Sequence, residues 1–145
     1  FKSDWKADYD KLNKVIVANR YTSANAVHQL SKLPRGEWDN FLDWLWDFEF
    51  IKLGLPAPDV VIFLELTPEL SHELVEKRSE MTGRKMDIHE RDENYMRKCY
   101  DAAVYASEKL GWERIKCYNE AGMRSRDAIA AEIAERIAER TDIVL

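Results

Sequence analysis

The chain has 145 residues, 46% of them hydrophobic and 34% charged, and a formal net charge of −5. That length and balance describe one soluble globular domain and exclude collagen-like, disordered and membrane-spanning chains. The negative balance also excludes sequence-independent nucleic-acid binding, which needs a basic stripe to displace counterions. Small molecules and protein surfaces are therefore the expected partners.

Glycine is scarce, with five in the chain, and none falls in a G-x-x-x-x-G-K-S/T or G-x-G-x-x-G pattern. Loops of those kinds need glycine wherever backbone N–H groups close on a phosphate, so these residues contain no Walker loop. No run of eighteen apolar residues is present, so no transmembrane helix is expected. The first twenty residues carry no basic-then-apolar signal pattern. Cys99 and Cys117 have no partner motif, which makes a reduced cytoplasm the default location.

The hydrophobic pattern switches between two periods, the signature of an α/β fold. A short polar helix is predicted over 4–12. Val15, Ile16, Val17 and Ala18 then form a continuous apolar run that reads as a strand buried on both faces. The run ends at Asn19, Arg20 and Tyr21, where the carboxyl end of a parallel strand opens onto a ligand crevice. A helix over 23–33 is stopped by Pro34.

The most hydrophobic helix is predicted over 36–53, with Trp38, Leu42, Trp44, Leu45, Trp46, Phe48 and Ile51 among its residues. Asp39, Asp43 and Asp47 lie four apart and share one stripe, leaving most of the circumference apolar. Such a helix must be nearly surrounded, and in a domain of this size a second copy of the chain is expected to cover it. Gly54 fits the helix C-terminal cap, and Pro56 and Pro58 force an extended link.

A second buried strand is predicted over 60–64. Thr67, Pro68 and Glu69 then give a hydroxyl cap, a first-turn proline and an acid against the helix dipole, starting a helix that runs to about 81. The segment 82–88, with Gly83 among charges, suits a mobile loop or lid. A helix over 89–110 ends at Gly111, a third strand follows over 114–118, and a helix over 128–137 closes the chain. No repeat or long linker divides residues 1–145, which read as a single domain.

Three clusters carry the chemistry. In the first, Arg20 offers a planar fork of donors suited to phosphate or carboxylate, while Asn25 and Gln29 each present donor and acceptor to a planar base edge. Ser23 and His28 lie among them. Pairing of Arg20 with a nearby acid, and turn capping by Asn25 and Gln29, is the alternative. In the second, Lys77, Arg78, Arg84 and Lys85 surround Gly83 and can fold over a transferring phosphoryl group. The same cations can equally form a solvated face with Glu73, Glu76 and Glu80. In the third, Asp87 and Glu90 share one side of a helix start, where they can hold Mg²⁺ or a sugar hydroxyl or simply stabilise the helix dipole. The histidine and cysteine spacings make no zinc site.

Taken together, these segments resemble the thymidylate kinase family. Residues 15–29 look like its strand, Asp-Arg-Tyr motif and Ser-Asn-Ala helix. Leu53 through Asp59 look like its G-L-P-x-P-D signature, residues 69–78 like the helix entering its lid, and residues 87–92 like the segment after the lid. The matches fall in the family's order and spacing along nearly the whole chain.

The resemblance implies a three-layer P-loop-kinase-type parallel sheet flanked by helices, with a lid at about 78–88. It also implies transfer of the γ-phosphoryl of MgATP to dTMP, giving dTDP and ADP. Carried over by motif, Arg20 holds the dTMP phosphate with Tyr21 beside it, and Asn25 meets the thymine edge. His28 falls where the family often has an aromatic residue beside the deoxyribose, and Gln29 lies near the base. Arg78, Arg84 and Lys85 close over the phosphates, and Glu90 approaches the sugar or the metal. Asn19 stands where the family usually has Asp, keeping an oxygen at the Mg²⁺ position and losing its charge.

The family's Walker strand, which would lie between 15–18 and 60–64, has no counterpart in this chain. The resemblance thus implies the C-terminal two-thirds of a longer domain, inactive by itself. It also implies a homodimer through the 36–53 helix. A kinase for another nucleotide, and a non-catalytic nucleotide-binding or dimerising relative, stand as alternatives.

Overall fold

The computed structural model describes residues 15–83 and 92–141. The helix expected over 4–12, residues 84–88 of the expected lid, with Arg84, Lys85 and Asp87 among them, and Glu90 lie outside the described residues.

Helix α1 spans Ser23–Leu30. A 3₁₀ turn at Arg35–Glu37 leads into α2, Trp38–Trp46, which continues as a π-helical segment over Asp47–Lys52. Strand β1 is Ile62–Glu65, and helix α3 is Pro68–Thr82. Helix α4 is Glu93–Leu110, strand β2 is Glu113–Lys116, strands β3 and β4 are Tyr118–Asn119 and Gly122–Met123, and α5 is Arg126–Arg140.

Local chemistry accounts for the helix starts. Thr67 Oγ1 accepts from Leu70 N at 3.4 Å with Pro68 at the first helical position, as read from the sequence. Asp92 Oδ1 accepts from Tyr95 N at 3.0 Å, and Ser125 Oγ from Ala128 N at 3.2 Å. Each satisfies a backbone donor that a helix leaves unpaired. Gly111 ends α4 at φ 68, a left-handed conformation that costs glycine nothing.

The core lies where α1, α2 and α4 meet. Ala26 and Leu30 pack with Trp38, Leu42 and Leu45 and with Ala102 and Ala106. The alanines on α1 and α4 bring those helices close, and the larger side chains of α2 fill the space beside them. Arg35 lies 4.4 Å from the Trp38 ring and 3.6 Å from the Tyr105 ring, a cationic cover over one edge of this core.

The fold is mixed α/β, and its parallel sheet has two strands among the described residues. β1 pairs with β2 from Ile62↔Glu113 to Glu65↔Lys116, and β3 and β4 form a separate antiparallel pair. The strand expected over 15–18 is not formed. A run of four apolar residues becomes a buried strand only when neighbours pair with both edges and cover both faces. No described strand pairs with it, and Val17 is 85% exposed.

The 36–53 segment also differs from a uniform helix. Its last turns widen, with Leu53 N donating to Phe48 O at 2.9 Å, a spacing of five residues. The buried positions are Trp38, Leu42, Leu45 and Glu49, one stripe at helical spacing. Asp39 and Asp43 face solvent, and Asp47 pairs with Lys52 at 2.6 Å. Trp44, Trp46, Ile51 and Leu53 are exposed on the remaining surface.

Candidate functional site

The site begins where the exposed 15–18 run turns into α1. Arg20 has φ 72, the one non-glycine residue in the left-handed region among the described residues. That conformation costs a side-chain-bearing residue about 1–2 kcal/mol. The turn sends the guanidinium back along α1, where Nη2 donates to His28 Nε2. The alternative of an acidic partner for Arg20 is not realised among the described residues, since their ion pairs do not include it.

Three contacts hold the residues that follow Arg20 in the chain. Tyr21 Oη donates to Pro56 O at 3.0 Å, tying the start of α1 to the proline-rich link after Gly54. Asn25 Nδ2 donates to Glu49 Oε1 at 3.3 Å. His28 Nδ1 lies 3.3 Å from Tyr95 Oη on α4. Burial, and secondarily the Glu49 charge, push the Tyr21 phenol above its ordinary pKa. Contacts from α4, the π-helical segment and the proline link thus meet the start of α1 at His28, Asn25 and Tyr21 respectively.

Glu49 is the residue that the reading of the sequence missed. Only 8% exposed, it is the acid that the widened helix turns inward. Its signal was present: Glu49 breaks the four-residue spacing of Asp39, Asp43 and Asp47 and continues the spacing of Trp38, Leu42 and Leu45. An acid on an apolar stripe needs a polar partner, because an unpaired buried carboxylate is costly.

The other expected site residues stand apart. Gln29 is exposed on α1. Arg78 is exposed on α3, where its carbonyl accepts from Thr82 Oγ1 at 2.7 Å. Neither makes a described contact with the Arg20 group. Lys77 lies 4.0 Å from Glu73, so the solvated-face alternative holds for that cation.

The described residues do not by themselves fit a Mg²⁺ site. They contain no group of three acidic, histidine or cysteine side chains placed to hold a metal. Asn19, exposed before the Arg20 turn, offers one neutral amide oxygen where magnesium prefers carboxylate and phosphate oxygens.

A second acidic centre is closed. Glu65, 2% exposed at the end of β1, receives Arg114 Nη2 at 2.9 Å and Nε at 3.0 Å. Tyr100 Oη donates to its other oxygen at 2.8 Å. Burial, the hydrogen bond to Glu65 and its charge raise the Tyr100 pKa strongly. A cavity of about 160 Å³ lies elsewhere, between the start of α1, α2 and the residues leading into β1 and β2. It is smaller than the 300–1,000 Å³ typical of ligand pockets and is not lined by Arg20, Asn25 or His28.

These features define an α/β chain with a cationic, base-edge-capable group at the entrance to α1. No protein-family model matches it. Over 100 residues, 68% of this chain, it is 32% identical to the thymidylate kinase of Mycobacterium tuberculosis strain CDC 1551 / Oshkosh. The thymidylate kinase of strain ATCC 25618 / H37Rv aligns with the same identity and coverage. In both, the alignment covers 46% of the relative, so the chain spans about half the length of the curated relatives it matches. Over that stretch it is a homologue of thymidylate kinase. No helix among the described residues is long and apolar enough to cross a membrane.

Proposed function

We propose that the chain is the nucleotide-acceptor part of a thymidylate kinase of the P-loop type, which transfers the γ-phosphoryl of MgATP to dTMP and yields dTDP and ADP. The observation that carries this reading is Arg20, a cation in a left-handed turn whose guanidinium meets the His28 ring and, among the described residues, no carboxylate. The similarity to thymidylate kinases supports it.

In this reading Arg20 takes the dTMP phosphate through its planar fork, because paired N–H donors match phosphate oxygens. The Asn25 amide meets the thymine edge, and Glu49 fixes which way that amide points by accepting from Nδ2. Tyr21 braces the turn through Pro56, His28 lies beside the sugar, and Gln29 lies near the base. Arg78, with Arg84, Lys85 and Glu90, serves the phosphates and sugar from the lid side. Catalysis of this kind is chiefly positioning and charge neutralisation. ATP and Mg²⁺ enter together as co-substrate, with upstream residues supplying the phosphate cradle. The chain alone transfers no phosphoryl group. The exposed Trp44, Trp46, Ile51 and Leu53 surface is the interface of a homodimer, and the cytoplasm is its setting.

A coupled ADP-release assay on the protein carrying its upstream residues tests this, comparing dTMP, dUMP and thymidine. Turnover of dTMP above the other two is expected; turnover of thymidine without dTMP rejects the monophosphate assignment. The neutral Asn19 favours a second reading, a non-catalytic nucleotide-binding or dimerising relative. If that reading holds, dTMP binds without turnover and Asn19→Asp restores turnover.

A further inference from the structure

This inference deepens the reading of Arg20 as the phosphate-holding group and rests on it. A guanidinium has only N–H donors and keeps its charge throughout the accessible pH range. The contact of Arg20 Nη2 with His28 Nε2 therefore requires a lone pair on Nε2. In the neutral ring the proton then sits on Nδ1, the nitrogen 3.3 Å from Tyr95 Oη. The Tyr95 oxygen accepts it; the neighbouring Cys99 thiol and burial raise the Tyr95 pKa, against an opposing effect of Ser31.

Arg20, His28 and Tyr95 thus form one directed chain from the turn before α1 across to α4. Its first member is also the residue in an unfavourable backbone conformation. Such a conformation persists only where its surroundings over-determine it. Placement of a side chain by a partner that is itself locked by a second hydrogen bond is how the orientation of a binding group is fixed in advance.

We propose that His28 is a positioning residue for Arg20: held as the Nδ1–H tautomer by Tyr95, it presents Nε2 as the acceptor that fixes the guanidinium before a phosphate arrives. This role is additional to lying beside the sugar. It needs a nitrogen acceptor at that position, which a phenylalanine ring there does not supply.

The test has one arm independent of ligand. In the ¹⁵N spectrum of the ligand-free chain at pH 8, His28 is expected to show a protonated Nδ1 and an unprotonated Nε2. The opposite tautomer, or rapid averaging of the two, overturns the proposal. In the second arm dTMP is titrated into the wild type, His28→Gln and His28→Asn. The Gln oxygen reaches the place of Nε2, whereas the Asn amide ends near Nδ1. Affinity is expected to stay within about threefold for His28→Gln and to fall about tenfold for His28→Asn, as lost pre-organisation of one charged group. Equal losses at equal thermal stability overturn it. If the wild type shows no dTMP binding, the functional reading fails, and the ¹⁵N spectrum still decides the positioning contact.

Discussion

Two buried glutamates show how differently one fold handles a carboxylate. Glu65 is closed on all sides: Arg114 neutralises it, Tyr100 fills its other oxygen, and Glu108 takes the remaining reach of Arg114 at 2.8 Å. Glu49 has an amide donor in Asn25 and no ion pair with a cation among the described residues. Burial alone therefore does not mark a site. The Glu65 group has spent its hydrogen-bonding capacity on joining β1, β2 and α4, and the Glu49 group has kept charge and exposed donors facing outward.

The largest test of that contrast is Arg114→Leu. It strips the cation from a buried acid, and breaking a buried pair from one side costs about 3–5 kcal/mol. Urea unfolding is expected to show a loss in that range; less than 1 kcal/mol would show that Glu65 is not closed as described.

Tyr100→Phe comes next, expected to cost about 1–2 kcal/mol by leaving one Glu65 oxygen short of a donor. Its pH dependence has a definite sign. The folded phenol holds its proton above the ordinary value, so its contribution is whole below about pH 10 and drains away as pH rises further, when the unfolded chain releases that proton first. A denaturation series from pH 8 to 11 is expected to fall more steeply in the wild type than in Tyr100→Phe.

On the other side, Arg20→Gly is expected to gain about 1 kcal/mol, because glycine adopts the left-handed turn without strain, while dTMP binding is lost. A thermal melt and a dTMP titration read the two effects separately, and retained binding would remove Arg20 from the site. The smallest effect belongs to Glu49→Gln, expected within about 0.5 kcal/mol of wild type, since the amide oxygen still accepts from Asn25. Its mark is spectroscopic: the Tyr21 phenol, raised partly by the Glu49 charge, is expected to titrate lower in absorbance at alkaline pH.

The parts of this contrast that were legible in the sequence are those set by neighbours in the chain. Thr67 and Pro68 marked the start of α3, Gly111 the end of α4, and the apolar pattern the helices over 36–53, 89–110 and 128–137. The acids at 39, 43 and 47 were read as sharing one stripe, of which 39 and 43 are exposed and 47 is half-buried. The pairing of β1 with β2, the contact of Glu49 with Asn25 and that of His28 with Tyr95 were not legible, because each joins residues far apart in sequence. The 15–18 run was misread for the same reason: Val15, Ile16 and Val17 have strand composition, but a strand exists only through its partners. Glu49 is the intermediate case, visible in the spacing once the buried stripe is followed from Trp38.

The ion pair between Glu65 and Arg114 closes a separation of 49 residues. Closure of so long a loop adds little to the entropy cost beyond that of a shorter one, because the cost grows only with the logarithm of length. It weighs on the rate, however, since contacts between distant residues slow the search for the native topology. The pair is therefore expected to lock after the local helices have met, so that in a chevron plot Arg114→Leu steepens the loss mainly by accelerating unfolding. In that role Arg114 is a latch on how long the native state lasts.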